Sequence, residues 1–164
     1  MQFTVPPTDL RFPAPDGTVL QIRAALLCVR DGALLTCHDE RFPDILFVPG
    51  GAVQTGETAA MAARREWLEE TGEVAEDLQL CGVMENLFEL GGQACQEYGF
   101  YFRVALCGPA PACALDNPRV ALRWVPLPDL RTSPLRPAGL PGLLNVPAGA
   151  VRHFVNDDRP CGAF

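Results

Sequence analysis

Three glutamates, Glu66, Glu69 and Glu70, stand at i, i+3 and i+4. On a helix that spacing puts all three carboxylates on one face. Like charges so placed repel one another, so the face calls for a cation, and a divalent metal ion is the natural one. Divalent ions such as Mg²⁺ or Mn²⁺ take oxygen ligands, which carboxylates supply. Arg65 precedes the first glutamate, Glu57 lies upstream, and Gly51 and Gly72 stand at the two ends of the stretch.

Residues 51–73 resemble the Nudix box, the signature of the Nudix hydrolases. Its pattern is Gly, five residues, Glu, seven residues, Arg-Glu, an apolar residue, any residue, Glu-Glu, any residue, Gly, apolar. Every fixed position is matched, by Gly51, Glu57, Arg65, Glu66, Glu69, Glu70 and Gly72. At ordinary residue usage, seven such matches would coincide in fewer than about one in ten million windows, so the match is specific. Trp67 fills the first apolar slot. Glu73 stands in the last, a departure that bears on packing at the helix end and not on the acidic face. Leu46 to Gly51 looks like the family's W-x-L-P-G-G entry, with Leu46 where an aromatic is common. Residues 23–38 look like its first hairpin, and 123–130 like its late strand and following turn. About 130 residues fit the layout, and the fold implied is α/β, a Nudix-type α/β/α sandwich with a mixed β-sheet.

The resemblance also implies roles. Glu66, Glu69 and Glu70, with the carbonyl of Gly50, look like the metal ligands. Glu57 looks like an auxiliary carboxylate oriented by Arg65. The reaction implied is metal-dependent hydrolysis of a diphosphate linkage in a nucleoside diphosphate derivative, with Glu66 taking the proton of the attacking water. Some relatives use a later glutamate instead, and Glu97 is the best candidate for that alternative. Glu85 and Glu89 are weaker ones. Arg23 looks like a phosphate-binding arginine, with Arg41 and His38 as further candidates before the box entry. Phe47, Phe88 or Tyr98 could stack on a base, though aromatics on short strands usually pack inward.

A nucleoside di- or triphosphate is the favoured substrate. A proline about fifteen residues past the box would mark an ADP-ribose type, and Phe88 stands near there. The tyrosine expected for dinucleoside polyphosphates is replaced by residues 89–91. ADP-ribose, nucleotide-sugar and dinucleoside-polyphosphate hydrolysis remain alternatives, as does a non-catalytic nucleotide-sensing domain. An isomerase of the isopentenyl-diphosphate type on the same fold would need a histidine-rich metal site, and the chain has two histidines. Many relatives pair, so a homodimer is a further expectation of the resemblance.

These residues need elements to hold them. Val19 to Val29 reads as a central strand, Asp31-Gly32 as a two-residue hairpin turn, and Ala33 to Cys37 as the return strand. Residues 38–44 read as a polar loop and Ile45 to Val48 as a short strand. The box helix spans about Ala59 to Glu70, with Thr58 or Thr55 as cap and Gly72 as stop. Ala59, Ala63 and Trp67 mark its buried stripe, with the acidic residues off it. Leu80 to Phe88 and Glu97 to Leu106 read as strands joined through Gly91-Gly92. A proline-rich loop over 108–118 leads to a strand at Ala121 to Val125. Short helices follow at Leu127 to Leu130 and Ala138 to Asn145.

The chain has 164 residues and a net charge of −7. That length suits one domain, with 1–16 as an N-terminal extension and 146–164 as a C-terminal tail. The acidic balance argues against binding a nucleic-acid polymer or an anionic membrane, but not against a nucleotide, because a bound metal reverses the local sign. No apolar run is long enough to span a bilayer, and the N-terminus lacks the pattern of a signal peptide. Seven cysteines with no C-x-x-C pair point to neither a disulfide framework nor a zinc site. Cys28, Cys81 and Cys107 read as buried apolar residues, and His38 and His153 have no ligand motif. A reduced, cytoplasmic setting is the simplest expectation.

Overall fold

Two glycine turns set the strand pairing. A computed structural model describes residues 6–160. Strands β3 (Val29–Arg30) and β4 (Ala33–Asp39) meet across Asp31-Gly32, and β6 (Gln79–Leu90) and β7 (Gln93–Arg103) across Gly91-Gly92. All four turn residues have positive φ, between 51° and 80°. Two consecutive left-handed residues give the tight turn that matches strand twist, and glycine or aspartate adopts it readily.

The main sheet is mixed. Its order is β1 (Arg11–Pro13), β2 (Val19–Leu27), β7, β6 and β9 (Arg152–Asp157), and β5 (Gly50–Ala52) also pairs with β2. The β2–β7 and β6–β9 pairs are parallel, and the rest antiparallel. A second sheet of three strands runs β3, β4, β8 (Val120–Pro126). Alternation along β2 explains its apolar run. Ala24, Leu26 and Cys28 enter one core with Ala62, Ala63 and Trp67 of the helix α1 (Ala59–Thr71). Ala25 and Leu27 enter a second core on the other face, with Leu130, Leu140 and Leu143. A strand buried on both faces reads as continuously hydrophobic.

The layer opposite α1 is built from two short 3₁₀ turns, Leu127–Arg131 and Leu140–Asn145, each with proline in its first turn. Proline suits the start of such a turn, and Pro134 and Pro147, just past the two ends, keep the segments short. Helix α1 begins at Thr58, whose side chain accepts from the N–H of Met61 at 3.2 Å, and ends at Gly72 with φ 77°. Of the two cap candidates, Thr58 serves.

Several local expectations are corrected. Residues 45–48 form no strand. Leu46 and Phe47 make single bridges to Leu135 and Cys37, and the strand forms past Pro49, at Gly50–Ala52. The stretch expected as a C-terminal tail contains β9, which extends the sheet beyond β6, and β1 lies in the expected N-terminal extension. Cys107 is exposed, whereas Cys28 and Cys81 are buried as expected. All the cysteines among the described residues are free, and Cys161 lies outside them. Also among the described residues, no helix is long and apolar enough to cross a membrane.

Candidate active site

The entry to α1 is threaded through a space that only glycine fits. Gly50 pairs with Ala25 at a φ of 131°. A Cβ there would lie 2.1 Å from the Ala24 carbonyl oxygen, and one on Gly51 would lie 2.4 Å from Glu66 Oε1. The two glycines therefore let the turn lie between the edge of β2 and the acidic side of α1. The Gly50 N–H donates to Glu70 Oε2 at 3.0 Å, tying the turn to the last glutamate.

Arg65 organises the remaining acids. Its guanidinium donates to Glu57 Oε1 and Oε2 at 2.7 and 3.0 Å, to Glu66 Oε1 at 2.6 Å and to Glu69 Oε2 at 3.2 Å. A fourth partner is the Ala52 carbonyl at 3.0 Å. These bonds, led by the one to Glu57, raise the arginine's pKa and hold the Glu57 carboxyl below its usual value. Glu57 also accepts from the Gln54 N–H at 2.9 Å. Its oxygens are thus committed to Arg65 and the turn, as an orienting pair would require.

Glu66 and Glu70 differ from Glu57. Burial raises the Glu66 carboxyl against the pull of Arg65. Burial pushes Glu70 up to about 8, opposed by Arg23 and reinforced by Glu66. Glu70 is only 7% exposed. It lies one turn beyond Trp67, so it shares the buried face of α1 rather than standing off it. Glu69 is the most exposed of the three.

The donor chemistry suits a divalent cation: hard carboxylate oxygens, two of them held out of water and repelling each other, beside a backbone turn without side chains. Among the described residues no three acidic, histidine or cysteine side chains converge as metal ligands. Arg65 occupies Glu66 and Glu69, and Gly50 occupies Glu70. A cation at this face would therefore exchange with the bonds of Arg65.

Beside this face opens a cavity of about 410 Å³, and Glu66, Glu70 and Gly50 line it. Arg23 and Arg41 line it too, as do Phe47, Phe88, Glu89 and Glu97. Arg23 donates to the Val48 carbonyl at 3.0 Å and lies 5.9 Å from the Phe47 ring. Burial disfavours its charge, but Glu97, Tyr101 and Glu70 outweigh that and raise its pKa. Arg41 is paired with Asp39. Glu97 is buried, with Gln21 and Asn86 as partners.

Other candidates lie elsewhere. Glu57, Arg65 and Glu69 are outside the cavity lining, as are His38, Tyr98 and Glu85. His38 meets the Pro43 carbonyl at 3.1 Å, and Glu85 pairs with His153 at 2.8 Å on the surface.

Among the lining residues that escaped the sequence reading are Gln21, Asn86 and Asp116. Gln21 and Asn86 are polar residues within apolar strand runs, an interruption that could have exposed them. Asp116 sits in the proline-rich loop, where no motif marks it. It reaches the site because the Leu115 N–H bonds the Glu70 carbonyl at 3.0 Å.

Comparison with known proteins gives the same picture. The family model for the NUDIX domain matches residues 20–145. A MutT protein from Bacillus halodurans shares the fold, with a TM-score of 0.65 and 18% identity, over 84% of this chain and 90% of that one. A MutT NUDIX hydrolase from Burkholderia pseudomallei gives a TM-score of 0.59 and 26% identity, over 78% and 98%. Diphosphoinositol polyphosphate phosphohydrolase 2 of Rattus norvegicus is 40% identical over 67 residues. That match covers 39% of this chain and 37% of the rat protein, so the chain spans little more than a third of that relative. With a family model that covers most of its length and takes in the whole acidic face of α1, the chain belongs to the Nudix family.

Proposed function

We propose that this chain hydrolyses a diphosphate linkage in a nucleoside diphosphate derivative, with a nucleoside di- or triphosphate as the favoured substrate and Mg²⁺ or Mn²⁺ as the ion. The observation that carries this reading is the pairing of Glu66 and Glu70, withdrawn from water, at a cavity that also holds Arg23 and Phe47. Glu66, Glu69, Glu70 and the Gly50 carbonyl would hold the ion. When bound, it supplies charge neutralisation and makes a water more acidic. Arg65 keeps Glu57 and the entry turn in place. Arg23, fixed by the Val48 carbonyl, meets an outer phosphate, and Arg41 adds a second contact at the rim. Glu66, which lines the cavity on the acidic face of α1, is the proton acceptor.

A second reading takes its cue from the rat relative, a diphosphoinositol polyphosphate phosphohydrolase. The cavity speaks against it. Seven carboxylates line the cavity against three arginines, Arg23, Arg41 and Arg136. A substrate crowded with phosphates meets net repulsion there even with metal bound, whereas a diphosphate with one neutral end does not.

The test is release of phosphate and pyrophosphate from a panel of nucleotides, nucleotide sugars, dinucleoside polyphosphates and diphosphoinositol polyphosphates, with Mg²⁺ and Mn²⁺. Metal-dependent turnover of a nucleotide, lost by about 100-fold or more in Glu69→Gln and Glu70→Gln with unchanged circular dichroism, is the expected result. Full activity in both variants would sink the assignment. Binding of a nucleotide without turnover of any compound would favour a sensing domain. Sedimentation analysis tests the homodimer.

A further inference from the structure

The cavity wall carries a polar row that the chemistry at α1 does not use. Gln21 of β2, Glu97 of β7, Asn86 of β6 and Asn156 of β9 are register partners across four neighbouring strands. Partners of this kind project from the same side of a sheet. Glu97 is 4% exposed. Its Oε2 accepts from Gln21 Nε2, and its Oε1 accepts from Asn86 Nδ2 at 3.4 Å. Asn86 Oδ1 accepts from Asn156 Nδ2 at 2.9 Å, and Asn156 Oδ1 accepts from the Gly139 N–H at 2.8 Å. The backbone bond at Gly139 thus orients the whole chain of amides, and the Asn86 NH₂ group is turned toward Glu97.

The row retains unused bonding capacity. A carboxylate has about four lone-pair sites, and Gln21 and Asn86 take two from Glu97. Each NH₂ group keeps a second N–H. Arg23 meets the Glu97 charge through space, but it leaves the spare lone pairs of the carboxylate without a hydrogen bond, so the row favours a ligand edge rich in donors. It also lies away from the acidic face of α1. Glu97 is level with Gln21, and Gly50 is level with Ala25, four residues further along β2. At about 3.3 Å per residue that is about 13 Å. Arg23 stands between the two levels, and both ends open on the same cavity.

On the hydrolase reading above, we propose that the Gln21–Glu97–Asn86 row recognises a guanine base. Glu97 accepts two adjacent N–H groups, the ring N1–H and the 2-amino group, while an amide N–H of Asn86 or Gln21 donates to O6. Guanine alone among the common bases presents two neighbouring donors followed by an acceptor. Adenine and cytosine would turn a ring lone pair toward the carboxylate, and uracil offers a single N–H between carbonyls. Phe88, two residues from Asn86 on the same face of β6, offers the base an apolar surface within the cavity. Glu97 is then a specificity-determining residue and not the general base.

The test is binding of guanosine, inosine and adenosine to the full chain in EDTA, by calorimetry or ligand-observed NMR, where neither metal nor turnover is needed. Guanosine should bind at least about tenfold more tightly than inosine, which lacks only the 2-amino group, because a charge-assisted hydrogen bond is lost. Adenosine should bind no better than inosine. Glu97→Gln should bring the guanosine-to-inosine ratio to within about threefold. With GTP and Mg²⁺ it should act mainly by raising KM, whereas a general base would lose kcat and its limb of the pH–rate profile. Equal binding of the three nucleosides, or binding of none, overturns the proposal even if the variant does not fold, since the wild-type ratio decides. Turnover of nucleotides without base preference would overturn the guanine site and leave the hydrolase intact. Guanosine selectivity without turnover of any nucleotide would support the site and overturn the hydrolase.

Discussion

Arg65 sets a positive charge among the glutamates of α1, and its bonds relieve their mutual repulsion. It pairs with both Glu57 and Glu66 and reaches Glu69 as well. Glu70 has no such partner: burial outweighs Arg23 and one backbone N–H, and its pKa is pushed up to about 8. The folded metal-free protein therefore holds a proton that the unfolded chain releases near 4.5. Where the folded state binds more protons, stability falls as pH rises. Thermal unfolding in EDTA should show a declining Tm between about pH 4.5 and pH 8, a slope that Glu70→Gln flattens and saturating Mg²⁺ removes. Glu73, the one departure from the family pattern, also has a physical reason. Its carboxylate accepts from the N–H groups of Cys107 and Gly108 at 2.8 and 2.6 Å, fastening the end of α1 to the loop after β7. Glu73→Ala should cost about 1–3 kcal/mol in urea unfolding, with the catalytic rate nearly unchanged.

At the scale of elements, the decisive contact is that of the entry turn with β2 and α1. The Gly50 Cβ position collides with backbone, which cannot move without shifting β2, and its φ is unfavourable to any side chain. The Gly51 Cβ position collides only with the Glu66 carboxylate, the end of a flexible side chain. Gly50→Ala should therefore destabilise the fold by roughly 3 kcal/mol or more. Gly51→Ala should fold nearly as well as the natural protein yet lose metal-dependent turnover, because Glu66 is displaced. Chemical denaturation and a metal titration on both variants separate the two effects. The loop over 108–118 shows the same economy: one backbone bond to Glu70 carries Asp116 to the cavity.

For the whole molecule, the sheet ties the two ends of the cavity to segments far apart in sequence. Strand β9 covers the outer side of β6, and its Asn156 completes the amide row while Asp158 lines the cavity. A chain ending at Asn145 would leave Asn86 without that partner and expose β6. Such a truncation should lower Tm by on the order of 10 °C, measured by calorimetry on the metal-free protein.

The acidic face of α1, its cap and stop, the glycine hairpins and the two-faced β2 strand were all legible in the sequence. Each depends on local spacing: i, i+3, i+4 for the carboxylates, two left-handed residues for a turn, a continuous apolar run for a buried strand. The Nudix motif, being contiguous, was legible for the same reason. The burial of Glu70, the seating of Glu97 between Gln21 and Asn86, and the arrival of Asp116 were not. Each depends on strand register or loop closure between residues tens of positions apart, and a single sequence carries no direct signal for which residue will lie opposite which. The sequence by itself determined that three carboxylates share one face of a helix; tertiary structure alone decided which of them left the water, because burial is a property of the assembled surface and not of the spacing along the chain.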